Sequence, residues 1–474
     1  MRAISQRAPG RAKHCPSNNR PSTVLSGIPM RLLLALLALC VATAATAAED
    51  LIPFEKFRLD NGLTVVVHSD RKAPIVAVSI WYHVGSKDEV RGRTGFAHLF
   101  EHLMFQGTEN YNDEYFKPFE RVGATDMNGT TSFDRTNYFQ SVPVTALDMA
   151  LWMESDRMGH LLGVIDQARL DEQRGVVQNE KRQGENQPYG RVFKALLRAS
   201  FPANHPYSWE TIGSMDDLNA ATLDDVKAWF GRYYGAANAT LVLAGDIDVA
   251  TAKAKAEQYF GHIPAGPPVT RLEAWVAPRT SSTREIMQDR VARSRVYRVW
   301  NVAERSTSDA DFLEIAVSIF GQGKTSRLYQ RLVYRDQLVD SAGAFMQTLE
   351  LSSLLGITAD LKDSRDLAKV EAVIDEELVR FMKDGPTAEE IERTRLEFKS
   401  GFLRGIEKVG GFSGKAGILA ECEVYDGDPG CYRQGFARLE TVTSEQIRDA
   451  TRRWLSAGDH TLEVHPVGTY KNTA

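Results

Sequence analysis

Residues 222–247 read "TLDDVKAWFGRYYGAANATLVLAGDI", and residues 443–468 read "TSEQIRDATRRWLSAGDHTLEVHPVG". Laid together without gaps, they match at Thr222/Thr443, Arg232/Arg453, Ala236/Ala457, Thr240/Thr461 and Leu241/Leu462, while Val226 meets Ile447 and Asn238 meets Asp459. Each predicts a Thr-capped amphipathic helix, a short polar turn and a strand. Such an echo points to a duplication, and so to two halves of similar fold. Between them "PAGPPVTRLEAWVAPRTSS" (264–282) clusters Pro and Gly without a clear period and reads as a linker.

Within the halves, "GLTVVVHSD" (62–70) and "IVAVSIWYHVG" (75–85) read as adjacent strands, and "TAEEIERTRLEFKSGFLRGI" (387–406) as a helix opened by a Thr387/Glu390 capping box. Strands come in neighbouring pairs and helices in blocks. The fold class expected is therefore α+β. At 474 residues the chain can bury two cores, and 43% hydrophobic with 25% charged residues is a globular composition. A net charge of −5 lacks the basic footprint of a nucleic-acid binder.

Residues 1–29 show no apolar period and read as a disordered or non-native extension, with Met30 as a candidate start. "MRLLLALLALCVATAATAAED" (30–50) has the basic start, apolar run and small-residue exit of a cleaved signal peptide over 30–47, with Ala48 opening the mature chain. The expectation is an exported protein, periplasmic or secreted, without a stable membrane anchor. Export leaves Cys422 and Cys431 in "ECEVYDGDPGC". The Asp-Gly-Asp-Pro-Gly turn between them, in an oxidising compartment, predicts a disulfide.

Residues 95–105, "GFAHLFEHLMF", set three titratable groups in an apolar run. On a helix His98 and His102 share a face and can grip one ion, with Glu101 on the rim of the same site. This is H-x-x-E-H, the reverse of the common zinc-protease order. Neutral imidazoles hold Zn²⁺, the ion acidifies a bound water, and a neighbouring carboxylate takes its proton. A buried carboxylate without such a task is a costly way to fill a core. A catalytic zinc takes three protein ligands, so a third is expected from another helix. In "RLDEQRGVVQNEKRQGE" (169–185), Val176 and Val177 mark a buried face that turns Glu180 inward. Glu172, four residues before Val176, is the rival; Glu185 lies where the helix is ending.

"GFAHLFEHLMFQGT" (95–108) followed by "VVQNE" (176–180) resembles the inverzincin family, which includes pitrilysin, insulin-degrading enzyme and the mitochondrial processing peptidase. The resemblance covers nearly the whole mature chain. It implies a clamshell of two related halves, each a mainly antiparallel sheet packed with helices: a catalytic domain over 48–263 and a related domain without metal over 283–474. It implies one Zn²⁺ per chain on His98, His102 and Glu180, Glu101 as general base, and unstructured peptides as substrates. "GATDMNGTTSFDRTNY" (123–138) looks like the family's strand that pairs with substrate main chain, with Asn128, Gly129, Thr130 and Thr131 at the matching positions.

The sequence departs from the family twice. Gln173 stands where many members carry a second Glu, which removes a charge behind the metal. The Arg and Tyr that reach the substrate from the family's second half are matched by Val333 and Asp340, with Tyr334 and Arg335 off register. The resemblance then implies a heterodimer in which a related subunit supplies the Arg/Tyr pair, or failing that a homodimer. A non-catalytic scaffold or peptide-binding subunit is the alternative class. "GQGKT" (321–325) lacks the first glycine of a phosphate loop, since position 318 is Ser318, and reads as a helix-to-helix turn; "GGFSGKAG" (410–417) reads as a flexible loop.

Overall fold

The computed structural model describes residues 51–469; the expected signal peptide and the extension before it lie outside them. Eleven strands form two sheets among the described residues. The first contains β1 (Glu55–Arg58), β2 (Thr64–Ser69), β3 (Ile75–Tyr82), β4 (Thr125–Thr131), β5 (Thr136–Pro143) and β6 (Ala239–Gly245), in the order β1-β2-β6-β3-β5-β4. The second contains β7 (Thr283–Asp289), β8 (Arg295–Val302), β9 (Val339–Gln347), β10 (Ser353–Leu361) and β11 (His460–Pro466), in the order β7-β11-β8-β10-β9. Without β1 the two orders are the same. Each sheet has one parallel pair, β2 with β6 and β7 with β11, and antiparallel pairs elsewhere.

The echo falls where this symmetry requires. Thr222 and Thr443 both cap helices through capping boxes, with Asp225 and Gln446, and the helices Leu223–Tyr233 and Ser444–Leu455 lead into β6 and β11. Thr387 and Glu390 likewise form the expected capping box of the helix Ala388–Gly405. One expectation fails. The strands at 64–69 and 75–82 are not neighbours, because β6 lies between them, parallel to β2 and antiparallel to β3. Every residue of β6 is buried, which suits a strand flanked on both edges. Local patterning carries no sign of a partner that distant in sequence.

Both faces of the first sheet are covered. Val65, Val67, Val78 and Ile80 point into the core that holds the helices Phe96–Leu103 and Leu147–Gly159. The alternate residues Val66, Ala77, Trp81, Val242 and Ala244 meet Ala416, Leu419 and Ala420 of the helix Lys415–Asp426, which comes from the second half. The reverse also holds: Val192, Ala195 and Leu196 of the helix Val192–Ser200 cover Tyr297, Val299, Leu462 and Val464 of the second sheet. Each half thus lends one helix to the other's sheet, and burial on two faces explains the unbroken apolar runs in the strands.

A disulfide joins Cys422 to Cys431, with Cα atoms 5.3 Å apart. The intervening turn uses Gly427 at φ +68° as the helix stop and Asp428 Oδ1 as acceptor for the Gly430 N–H. The glycine-rich stretch 410–417 is packed rather than free. Phe412 stacks on Trp81 at 5.9 Å, and a Cβ on Gly410 would collide with Ser141 Oγ. Residues 264–282 hold no helix or strand.

Candidate metal centre

The helix Phe96–Leu103 starts at Gly95, whose φ of +91° a side chain would strain. The buried Glu89 carboxylate accepts the N–H groups of Gly95 (3.0 Å) and Ala97 (2.9 Å), satisfying donors of the first turn. Phe96, Leu99, Phe100 and Leu103 face the core. That leaves His98, Glu101 and His102 together on the opposite face. The facing helix Gln167–Asn186, capped by Asp166, brings in Glu180. Glu180 Oε2 lies 3.8 Å from His98 Nε2 and 3.5 Å from His102 Nε2, and the three donor atoms lie within 4.8 Å of one another. A tetrahedral ion with bonds of about 2.0–2.1 Å sets its ligands roughly 3.4 Å apart. Two imidazoles and a carboxylate at these spacings fit Zn²⁺.

The electrostatics agree. Burial, and then His102, push the His98 pKa down to about 4, and burial lowers that of His102 as well, so both rings present lone pairs at neutral pH. Burial pushes the Glu101 carboxyl up to about 7, against Thr131 and Arg135, which act to lower it. Thr131 Oγ1 donates to Glu101 Oε2 at 2.5 Å. The buried Gln173 side chain acts to raise the His102 pKa, against the larger effect of burial.

Glu172 is exposed and is not in the donor cluster; nor is Glu185, whose carboxylate meets Lys181 at 3.1 Å and Lys194 at 3.6 Å. Only one of the two valines expected to mark a buried face beside Glu180 does so. Val177 is buried, but Val176 is 44% exposed, since two consecutive residues of a helix cannot share one narrow buried face.

Asn128, Gly129, Thr130 and Thr131 lie on β4, the edge strand of the first sheet, paired on one side only with β5 through Asn128/Phe139, Gly129/Tyr138, Thr130/Asn137 and Thr131/Thr136. Their individual roles differ. A Cβ on Gly129 would come within 2.8 Å of the Phe105 ring, and Thr130 Oγ1 donates to Asn137 Oδ1 at 2.6 Å, so both support the strand. Thr131 instead touches the carboxylate of Glu101.

Val333 lies in the π-helical segment Tyr329–Arg335 against the second core. Asp340 pairs with Arg293 at 2.9 Å and so is not a bare repelling charge. Tyr334 is 73% exposed, and Arg335 donates to Asp336 at 2.9 Å.

Sequence reasoning missed a second polar cluster, which bridges the halves. Glu350, in the turn between β9 and β10, reaches the first half, where His83 Nε2 lies 2.8 Å from Oε1 and Lys87 Nζ meets Oε2. The buried Lys87 is also 3.4 Å from Asp134, whose Oδ1 accepts the Tyr207 hydroxyl at 2.5 Å. Isolated charged residues in loops carry no local signal of such a meeting.

The family model described as "Insulinase (Peptidase family M16)" matches residues 64–212, and "Peptidase M16 inactive domain" matches residues 220–398. The chain belongs to the M16 peptidase family. It is 27% identical over 438 residues to the zinc protease PqqE of Helicobacter pylori, covering 89% of this chain and 95% of that one. Over 362 residues it is 25% identical to the mitochondrial-processing peptidase subunit beta of Blastocladiella emersonii, covering 74% and 76%. Among solved structures, a protease from Helicobacter pylori superposes with a TM-score of 0.80 at 25% identity, covering 88% of this chain and all of that one. A peptidase M16 inactive domain from Pseudomonas fluorescens gives 0.79 at 17% identity, covering 89% and 100%, a likeness of fold alone. This M16 chain has the two similar mixed halves of its structural neighbours.

Proposed function

We propose that the chain is an exported zinc endopeptidase or oligopeptidase acting on unstructured peptides, with one Zn²⁺ held by His98, His102 and Glu180. The observation that carries this reading is the convergence of three donor atoms and a carboxyl of raised pKa beside an unpaired sheet edge. Bound there, Zn²⁺ supplies Lewis acidity toward a water and a peptide carbonyl. The protein's own groups do the rest. The free edge of β4 holds an extended peptide by its main chain. Thr131 fixes Oε2 of Glu101, leaving Oε1 to take the proton of the attacking water and return it to the leaving amine. The second half, with no metal cluster among the described residues, serves as a wall for the substrate. Among those residues no helix is long and apolar enough to cross a membrane. The relative PqqL of Escherichia coli is a periplasmic protease, which supports the periplasm as the site of action.

Zinc analysis and a peptide-cleavage assay on the mature chain test this reading. Glu180→Ala empties the site, whereas Glu172→Ala leaves zinc content near that of the wild type. The reverse order would overturn the ligand assignment.

The heterodimer is the finer form of the proposal. It rests on Val333 and Asp340 standing where the family carries its Arg and Tyr. Losing donors of that kind lowers turnover by about 10²–10³. The lone chain should bind zinc yet cleave peptides slowly, with activity rising on addition of a related subunit that carries the pair. Full activity of the lone chain, or no gain from Val333→Arg/Asp340→Tyr, would count against it. The scaffold reading is favoured by the "inactive domain" match, but that match spans residues 220–398 and leaves out His98, His102 and Glu180.

A further inference from the structure

Away from the metal centre two other imidazoles meet. His160 ends the helix Leu147–Gly159, and His262 follows the helix Val249–Phe260, which packs beside it. Their Nε2 atoms are 3.4 Å apart, with ring planes within 21°. The backbone on both sides is fixed. The His160 N–H donates to Asp156 O at 2.7 Å, and Asn61 Nδ2 donates to Phe260 O and Ile263 O on either side of His262. Behind His160, Glu109 Oε2 lies 3.8 Å from Nδ1, while its Oε1 accepts the Gly163 N–H at 2.8 Å and its own N–H donates to His160 O at 2.9 Å.

We propose that His160 and His262 form a second transition-metal site, which takes Cu²⁺ or Zn²⁺, with Glu109 as the outer partner that holds His160. Two imidazoles facing through the same nitrogen share at best one long hydrogen bond. A tetrahedral ion with metal–nitrogen bonds of about 2.0–2.1 Å needs its ligands roughly 3.4 Å apart, the separation found. The rings meet nearly head on, and a small rotation of each, which their exposed setting permits, aims both lone pairs at one ion. Binding at Nε2 puts the proton on Nδ1, where it faces Glu109; a carboxylate behind a ligating histidine fixes its tautomer and strengthens its donation. Imidazole pairs favour Cu²⁺ over Zn²⁺, and a tetragonal Cu²⁺ takes two cis nitrogens roughly 2.8 Å apart, which asks the same rotation to close the pair by about 0.6 Å. Glu109 belongs to the segment that directly follows the helix Phe96–Leu103, and Asn112 in the same segment accepts from Arg169 of the helix carrying Glu180. An ion at the pair therefore ties down the connection between the two helices of the first site.

The test is titration of the zinc-loaded mature chain with Cu²⁺, following heat, zinc content and the copper electron paramagnetic resonance spectrum. The expected result is one Cu²⁺ per chain with two nitrogen ligands, bound without release of zinc. His160→Gln and His262→Gln each lose it and keep the zinc. His98→Ala loses zinc but keeps the copper site, which separates failure of this inference from failure of the zinc-peptidase reading. Glu109→Gln keeps both nitrogens, because its amide oxygen can still accept from Gly163, and weakens binding several-fold. Copper bound equally well by both histidine variants, a spectrum with a single nitrogen, or no copper bound by the wild type would each overturn the proposal.

Discussion

Glu101→Gln retains zinc and lowers peptide hydrolysis by about 10²–10⁴-fold, the range that a positioned acid–base group contributes. The substitution is nearly isosteric. Its amide oxygen can still accept the Thr131 hydroxyl, so neither the helix nor the metal donors at His98 and His102 need move. What disappears is the ability to hold a proton. A carboxyl held near neutrality suits that task, since it can accept and release a proton at the same working pH. His98→Ala is the contrasting variant, because it removes a donor and with it the ion. Parallel metal analysis and kinetics on both variants decide the matter. If Glu101→Gln lost zinc as completely as His98→Ala, Glu101 would be a ligand and its assignment as base would fail.

Glu350→Ala destabilises the folded chain by about 3 kcal/mol, near the lower end for breaking a buried ion pair because Asp134 still faces Lys87. Burial acts to raise the Glu350 carboxyl, but His83 and Lys87 outweigh it and bring its pKa from 4.5 to about 2. That difference corresponds to about 3 kcal/mol by linkage, the same size as the expected loss. The folded state favours the ionised form, so the unfolded chain binds more protons between the two pKa values. The stabilisation is fully present above about pH 4.5 and is lost as the pH falls toward 2. Urea midpoints of the wild type and Glu350→Gln should differ at pH 6 and converge as the pH falls to about 2. A gap that stays constant over that range would mean the carboxylate charge contributes nothing.

The parts legible in the sequence were those written in local spacing. The echo at 222 and 443 gave the capped helices and the strands β6 and β11, and H-x-x-E-H gave three groups on one helical face. Glu180 was reached through its helix, although only Val177 of the two valines supports that face. The illegible parts depend on what comes from elsewhere in the chain. No pattern in residues 62–85 announces that β6 will enter between β2 and β3. The helices Val192–Ser200 and Lys415–Asp426 each show a face to be buried, but not which sheet will bury it. Thr131 was read as a substrate contact, and its hold on Glu101 emerges only when β4 lies beside the helix. Nothing in the sequence around Glu350 marks it as the partner of His83 and Lys87.

The exchanged helices determine what the duplication produced. A simple tandem repeat could be cut in the 264–282 segment and yield two self-sufficient products. Here a cut would leave each product with one naked sheet face: the first without Leu419 and Ala420 over Val66 and Trp81, the second without Ala195 and Leu196 over Val299 and Leu462. Neither would be a domain in the sense of a unit able to fold alone, but each would be a template for the other. A gene split at that point would therefore encode two obligate halves of one molecule, which must find each other before either is complete.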